Sequence, residues 1–487
     1  MRFKLKMRKD KSAKSIIFKC IENASVQILN FIIGVVLARV LSPADYGVYS
    51  ILLIFITIGQ TAVVAGLNSA LIQRKDITED DYSTVMVASI AMAVLIYIIL
   101  FLAAPFIAKA YSSPNVIKPL RVLSIVLFPM ALFSVVNARI ARKMEFPFAA
   151  KISIASVIIS GSISVVLAIN GAGVWSLAIQ QILTYTLSPM FYCILRHWVP
   201  KFYFRVDRLK VLLGFGSKVM VADLVNSIYA NVQGMIIGIK YSADSLGFFN
   251  KGQMFPRTVM QTINGSIENV MFPVYSDMQN EKEEMGKTIL ENAKMISFFV
   301  FPMMMGLFAV SYEVISLLLT EKWIACVEIV RIYCIAYMFW PIDSMNLQAI
   351  KACGDGNIYF AVNFLKKCIA AIILTFFVFF SKSLEMFALS AIVIYVFDII
   401  IGAFAMKKLV GVSLLQEVTA LIRSAICSLC ILIITQLPVI SENVLMVLVY
   451  KVCIGIVVYL LSSYLLNRKI MDTLLKKFFI RSNERRI

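Results

Sequence analysis

Six polar side chains recur at helical spacing within one apolar segment of this chain. They are separated by 3, 4, 4, 3 and 4 residues, which places all of them on one face of an α-helix. A charged side chain at the centre of a bilayer costs about 2.5–3.5 kcal/mol on insertion scales. The face is therefore predicted to meet a partner helix or a water-filled cavity, and a cavity would indicate transport. The six residues are Asn250, Gln253, Arg257, Gln261, Asn264 and Glu268.

Polar residues follow similar spacing in three further apolar segments, the predicted membrane spans 1, 2 and 7. Such residues either hydrogen-bond helices together, at about 0.6–2 kcal/mol each, or line a cavity. Cavity lining is favoured for the set, because one or two polar groups per helix are enough to join helices. The four striped spans are predicted to line one central cleft. The added stripes comprise Lys19, Glu22, Asn23, Gln27 and Asn30 in span 1, Thr57, Gln60, Thr61 and Asn68 in span 2, and Lys218, Asp223, Asn226, Ser227, Asn231 and Gln233 in span 7.

The charged members of the stripes suggest two kinds of chemistry. Lys19, Lys218 and Arg257 could face an anionic ligand, since the planar guanidinium of arginine donates two parallel hydrogen bonds to a phosphate. Glu22, Asp223 and Glu268 could neutralise these cations or carry a coupling H⁺ or Na⁺. Structural ion pairing remains an equal alternative for each residue, and no bound cofactor or metal is predicted.

Other charges in apolar segments are scattered singly along the sequence. They are predicted to be interfacial or paired, and no site is assigned to them. These residues are Arg331, Asp343, Asp398, Arg423 and Lys451.

The composition indicates a polytopic membrane protein. Of 487 residues, 60% are hydrophobic and 15% are charged, whereas soluble domains are about 45–50% apolar and about 25% charged. The formal net charge of +19 is interpreted as membrane topology, since no basic soluble domain with interleaved aromatic residues is present to bind nucleic acid. No Walker A, GxSxG or HExxH motif occurs, so an enzyme is not predicted.

Runs of about 20 apolar residues can each cross a bilayer. Turn and charge clusters separate fourteen such runs, centred near residues 28, 58, 95, 128, 160, 183, 229, 262, 302, 335, 370, 396, 427 and 455. Most Lys and Arg residues, with Lys366 and Lys367 among them, then fall on the side that holds both termini. By the positive-inside rule that side is cytoplasmic.

A weak internal repeat divides the chain into two halves. LSPADYGVYS (residues 41–50) and YSADSLGFFN (residues 241–250) align Ser42 with Ser242 and Gly47 with Gly247. Six spans separate the two segments, which describes a parallel repeat. The predicted segments are a basic tail at 1–14, an N-lobe of spans 1–6 at 15–195, a cytoplasmic linker at 196–212, a C-lobe of spans 7–12 at 213–408, spans 13–14 at 409–466 and a basic tail at 467–487.

The sequence resembles a known transporter superfamily. LARVLSPADYGVYS, GLNSALIQRKDITEDDYST, NARIARKMEFPFAAKISI and NGAGVWSLAIQQ look like the bacterial polysaccharide transport family, the Wzx-type and colanic-acid-exporter-like flippases of the multidrug/oligosaccharidyl-lipid/polysaccharide exporter superfamily. The resemblance implies an all-α fold with two six-helix lobes around a central cavity, a final helix pair and alternating access. It maps the cationic cavity residues to Lys19, Lys218 and Arg257 by position alone.

The resemblance also implies a function in surface polysaccharide biosynthesis. The implied substrate is an undecaprenyl-diphosphate-linked oligosaccharide, moved from the inner to the outer leaflet of the bacterial inner membrane. Implied partners are this lipid, membrane lipids, and polysaccharide polymerases or glycosyltransferases. A cation-coupled multidrug exporter of the same superfamily is an alternative, although such a cavity should be more acidic. A membrane polysaccharide polymerase or ligase is another, although it should have a large outward loop.

Overall fold

The computed structural model describes Glu22 and residues 24–64, 66–74, 76–437, 443–468 and 470–472. Predictions for Lys19, Asn23, the tail at 1–14 and most of the tail at 467–487 lie outside these residues. Within the described ranges the chain is helical and contains no β-strand, as predicted for the fold class.

The helices are numbered α1 to α19 in chain order. The first half contains α1 (Ala24–Val40), α2 (Pro43–Val64), α3 (Leu67–Gln73), α4 (Glu79–Ala110), α5 (Ile117–Leu123), α6 (Leu127–Lys143), α7 (Phe146–Ile169), α8 (Val174–Leu195) and α9 (Val206–Lys240). The second half contains α10 (Ala243–Asp277), α11 (Lys282–Ala309), α12 (Ser311–Leu319), α13 (Cys326–Met338), α14 (Trp340–Ala352), α15 (Gly356–Phe380), α16 (Leu384–Ala388), α17 (Ser390–Val410), α18 (Leu414–Thr435) and α19 (Val444–Leu466).

Ten helical stretches in the described part of the chain are long and apolar enough to cross a membrane. The other four predicted span centres fall in α1, α8, α10 and α13. α1 has fewer described residues, and α8 and α10 carry polar side chains that lower their hydropathy. α13 and α14 are separate because Pro341 stands in the first turn of α14, where a missing backbone N–H is tolerated. The chain is thus a multi-pass membrane protein, and the count of fourteen spans stays a prediction.

Large apolar side chains cover much of the outer surface. Phe106 is 75% exposed, and Phe379 and Leu465 are each 78% exposed. In water such a surface would be an interaction site or an aggregation hazard. Around membrane-crossing helices it is the surface that lipid tails cover.

Residues 1–247 and 248–487 form two compact units, and α10 begins in the first and continues in the second. In the first unit, α9 packs against α2, α3 and α4. A buried cluster that includes Leu71, Tyr82, Val135 and Leu212 joins α3, α4, α6 and α9. The first unit therefore includes the predicted span 7, and the lobe boundary at 196–212 stays a prediction.

Arg139 holds the segment after α8 against the rest of the first unit. Its Nη1 lies 2.6 Å from Oε1 of Glu79, and its guanidinium lies 4.1 Å from the ring centroid of Trp198. The indole Nε1 of Trp198 donates to Oε2 of Glu79 at 2.8 Å. One arginine, one carboxylate and one indole thus connect α6, α4 and the segment that follows α8.

The two repeated segments meet in the first unit. Ser42 Oγ accepts a hydrogen bond from the Asp45 backbone N–H at 3.2 Å, and Ser242 Oγ accepts one from the Ser245 N–H at 3.0 Å. Each serine therefore caps the N-terminus of its helix in the same way. A Cβ at Gly47 would lie 2.0 Å from the carbonyl oxygen of Ala243, and one at Gly247 would lie 3.0 Å from the backbone nitrogen of Gly47. Glycine is required at both positions because two backbones touch there.

The second unit has its own core. α11 packs along α18, α18 packs along α19, and α17 packs against α13, α14 and α15. Phe298, Cys427, Ile431 and Tyr459 form a buried cluster between α11, α18 and α19. These contacts place α14, α15, α17 and α18 around the charged residues described below.

Candidate functional site

A cavity of about 300 Å³ lies in the first unit between α1, α6, α7 and α8, and it is called the polar cavity here. α7 contributes Ser153 and Ser156 to its wall. Asn30 of α1 and Glu22, which precedes α1, also line it, and α8 contributes hydroxyl and amide groups. The α8 residues are Gln180, Gln181, Thr184, Tyr185 and Ser188.

Helical spacing explains why α7 and α8 present polar groups to the polar cavity. Ser153, Ser156, Ser160 and Ser164 follow one another at steps of 3, 4 and 4 residues, which keeps them on one helix face. Small residues also let two helices approach closely. Accordingly, Ser160 Oγ and Thr184 Oγ1 are 2.7 Å apart.

Glu22 is the acid of the polar cavity. Its side chain is buried, and Ser153 Oγ donates to Glu22 Oε1 at 2.9 Å. Ser156 Oγ is buried and has no hydrogen-bond partner among the described residues. Because buried polar groups are normally hydrogen-bonded, this hydroxyl is available to a ligand or a water molecule.

Two further contacts connect α2 to α8. Tyr49 OH donates to Gln181 Oε1 at 3.4 Å, and Gln60 lies beside the phenol of Tyr185. Gln60, predicted from the span 2 stripe, therefore lies beside a wall of the polar cavity. The structure thus brings Glu22, Asn30 and Gln60 together.

The other predicted residues of the first unit are placed elsewhere. Asn231 Nδ2 donates to Thr57 Oγ1 at 3.3 Å, so the stripes of α2 and α9 meet. Asn68 lies on the short helix α3 and not on the second span, because the chain turns at Gly66 with a positive φ of 78°. Four predicted residues, Gln27, Lys218, Asp223 and Asn226, have exposed side chains.

The stripe on α10 is helical as predicted, but its side chains differ in burial. Arg257, Gln261 and Glu268 are exposed and Gln253 is half-buried. Asn264 is buried, and neither of its amide atoms has a partner within the described ranges. Glu268 Oε1 accepts a hydrogen bond from Ser344 Oγ on α14 at 3.0 Å. A cleft between the lobes involves both units, so the shared cleft stays a prediction.

The second unit contains a group of mostly buried charged and polar residues, of which Asp343 and Asp398 were predicted to be interfacial or paired. Asp343 pairs with Lys366, and Asn346 Nδ2 lies 3.2 Å from each carboxylate oxygen of Glu417. Asp343 and Lys366 are the charged groups that act on Asp398. These five residues are called the carboxylate cluster here.

The prediction of pairing is confirmed for Asp343, which pairs with Lys366. Asp343 also lies near Asp398, because α14 and α17 pack together. The placement of Lys366 was wrong. Lys366 is buried inside α15 and does not lie in a cytoplasmic loop. The expectation of pairing was correct for Lys451, whose Nζ lies 2.6 Å from Glu313 Oε1, and for Arg331, whose Nη1 lies 2.7 Å from Glu328 Oε1.

The polar faces of α7 and α8 were not predicted, although helical spacing relates the serines of α7 to one another, and Gln180 to Thr184 and Ser188 on α8. Among the described residues, no group of three or more His, Cys, Asp and Glu is arranged to hold a metal ion.

Solved structures identify the class of fold. The lipid II flippase MurJ, in an inward closed conformation, superimposes with a TM-score of 0.75 and 17% identity over 94% of this chain and 100% of that chain. An inward-facing multidrug resistance MATE transporter of the MOP superfamily superimposes with a TM-score of 0.59 and 16% identity over 80% of this chain and 98% of that chain. The fold is therefore shared with MurJ and with this MATE transporter.

The family follows from the sequence. The polysaccharide biosynthesis protein family matches residues 36–328, and the chain belongs to this family.

Relatives include the teichuronic acid biosynthesis protein TuaB of Bacillus subtilis, 26% identical over 62% of this chain and 63% of TuaB. The succinoglycan biosynthesis transport protein ExoT of Rhizobium meliloti is 24% identical over 68% of this chain and 67% of ExoT. The lipopolysaccharide biosynthesis protein WzxC of Escherichia coli is 20% identical over 68% of both chains. The match thus spans about two thirds of each relative.

Proposed function

We propose that this protein is a flippase that moves a polyprenyl-diphosphate-linked oligosaccharide from the inner to the outer leaflet of the bacterial inner membrane. Undecaprenyl diphosphate is the proposed carrier, and biosynthesis of a lipopolysaccharide or an exopolysaccharide is the proposed pathway. Membership of the polysaccharide biosynthesis family and the fold shared with a lipid II flippase support this function.

The observation that carries the proposal is the chemistry of the polar cavity. Its polar wall holds hydroxyl and amide groups with a single carboxylate, Glu22. Sugar hydroxyls both donate and accept hydrogen bonds, and serine hydroxyls and glutamine amides can match both roles. A cavity that binds a lipophilic cation is expected to contain several acidic residues and few amides. A sugar ring is also small enough for a cavity of about 300 Å³.

The remaining parts of the substrate are assigned to other groups. Lys19, Lys218 and Arg257 are proposed to hold the diphosphate, since cations with several N–H donors suit phosphate oxygens. The lipid tail is proposed to stay in the bilayer while the two lobes alternate access. Both termini are proposed to be cytoplasmic. Coupling to H⁺ or Na⁺ and contact with polymerases or glycosyltransferases belong to the same proposal.

The experiment is a flipping assay with purified full-length protein in liposomes. The probes are undecaprenyl diphosphates that carry one to several sugars and a fluorescent tag, and a membrane-impermeant quencher reports which leaflet holds the tag. We expect the protein to increase the exchange of at least one sugar-bearing lipid. Transport of a cationic dye, with no exchange of any tested sugar lipid, would instead support the drug-exporter alternative.

Arg257→Ala tests the assignment of the diphosphate. We expect this variant to reach the membrane in normal amount but to lose flipping. Arg423→Ala is the matched control, because Arg423 is also exposed and also lies in an apolar helix. Undiminished flipping by Arg257→Ala would remove Arg257 from the site.

A further inference from the structure

Four of the five residues of the carboxylate cluster are buried, and Asp398 is half-buried. Asn346 is 0% exposed, Glu417 is 1% exposed, Lys366 is 6% exposed and Asp343 is 7% exposed. Its residues come from α14, α15, α17 and α18. Packing of four helices, rather than a local sequence motif, brings these groups together.

Polar groups of the cluster lie close to Gly402 on α17. Gly402 lies one turn after Asp398, and a Cβ there would come 3.7 Å from Asn346 Nδ2 and 3.8 Å from Lys366 Nζ. The Asn346–Glu417 contact and the Lys366–Asp343 pair therefore adjoin each other. Asn346 Oδ1 is buried without a partner in the described part of the chain, so one polar atom of the cluster is not satisfied by protein.

The cluster contains more acids than bases. Asp343, Asp398 and Glu417 face one ammonium group, that of Lys366. Isolated buried carboxylates are so costly that such groups normally take up a proton or bind a cation. A proton needs no ligand beyond the carboxylate itself, so the proton is the cation considered for this cluster.

We propose that Asp398 and Glu417 are an exchangeable proton site, with Lys366 and Asp343 as its fixed ion pair. The proposed step is a reversible proton transfer. A carboxylate gains one proton from water on one side of the membrane and later returns it to water on the other. No other bond forms or breaks.

The charged and titratable groups near the site come from α13, α14, α15 and α17. The charged groups that act on Asp398 and Glu417 are Asp343 from α14 and Lys366 from α15. The nearby titratable phenols are Tyr333 and Tyr337 from α13 and Tyr395 from α17.

A short path connects the proton site to the α10 stripe. Ser344 follows Asp343 on α14, and its hydroxyl donates to Glu268 on α10 at 3.0 Å. Movement of α14 on protonation would therefore reach the helix that carries Arg257. This role in coupling rests on the proposed flippase function, whereas proton binding itself does not.

The first experiment measures protonation without any substrate. Infrared difference spectra of the purified protein between acidic and alkaline pH report the carbonyl stretch of protonated carboxyl groups. We expect a buried-carboxyl band that weakens in Asp398→Asn and in Glu417→Gln but persists in the control Glu283→Gln, whose carboxylate is exposed. Identical spectra in all four proteins would overturn the proton site.

The second experiment tests coupling in the liposome assay with the tagged undecaprenyl-diphosphate sugars. We expect an imposed pH gradient to stimulate flipping several-fold in the wild type and in Glu283→Gln. Asp398→Asn and Glu417→Gln, which resemble the protonated forms, should still flip the lipid but lose this stimulation. Stimulation by a sodium gradient alone would overturn the proton assignment. Absence of flipping in every protein, with the infrared result intact, would overturn the flippase function and leave the proton site standing.

Discussion

The polar cavity of the first unit holds mostly neutral groups, whereas the carboxylate cluster of the second unit holds charged ones. The cavity has a volume of about 300 Å³ and a hydroxyl, that of Ser156, without a partner among the described residues. The cluster is buried except for the half-buried Asp398, and most of its polar atoms bond to one another. Open space with unused hydrogen-bonding groups suits a ligand that enters and leaves. A closed group of acids around one lysine suits an ion as small as a proton. Three substitutions test this contrast.

The largest effect is expected from Lys366→Met. Removing one partner of a buried ion pair costs about 3–5 kcal/mol, because the remaining charge is left uncompensated. We expect a large fall in the free energy of unfolding, measured by thermal or denaturant unfolding in detergent. Lys287→Met is the control, since Lys287 pairs with Glu283 on the surface, and it should change little. Similar small losses in both variants would mean that the cluster is not a closed charged site.

A moderate effect is expected from Gln181→Leu in the polar cavity. A hydrogen bond between uncharged groups contributes about 0.5–1.5 kcal/mol, which corresponds to a loss of roughly 2- to 13-fold in affinity for the sugar lipid. Concentration dependence in the flipping assay measures this loss. Gln27→Leu is the matched control, because Gln27 belongs to the predicted stripe but is exposed. If both variants lose equally, the stripe and not the polar cavity determines binding.

The smallest effect is expected from Ser156→Ala compared with Ser164→Ala. The hydroxyl of Ser164 donates to the carbonyl oxygen of Ser176 at 2.8 Å, so its removal should cost about 1 kcal/mol of unfolding free energy. Removal of the unpartnered Ser156 hydroxyl should leave stability unchanged or slightly raised, and should weaken sugar-lipid binding. Equal destabilisation by the two variants would show that Ser156 has a structural partner.

Local periodicity made the helices and several site residues predictable. Helical spacing depends only on nearby residues. For this reason the α10 stripe and the polar positions Glu22, Asn30 and Gln60 could be predicted from the sequence. The serines of α7 follow the same rule, but serine lowers hydropathy little and does not stand out within an apolar segment. Helical spacing alone is nevertheless enough to predict this face.

The carboxylate cluster could not be predicted in this way. Asp343 and Lys366 are 23 residues apart, and Asn346 and Glu417 are 71 residues apart. No periodic pattern relates positions on different helices, so their meeting depends on which helices pack together. For this reason the sequence predicted only that Asp343 and Asp398 are interfacial or paired, and it could not name their partners.

The meeting of Gly47 with the Gly247 segment couples the two repeated segments energetically. Each glycine lies against the backbone around its equivalent in the other repeat. Such reciprocity resembles an isologous contact, in which the same patch of two copies pairs with itself. Gly47→Ala and Gly247→Ala should accordingly show strongly non-additive losses of stability in a double-mutant cycle.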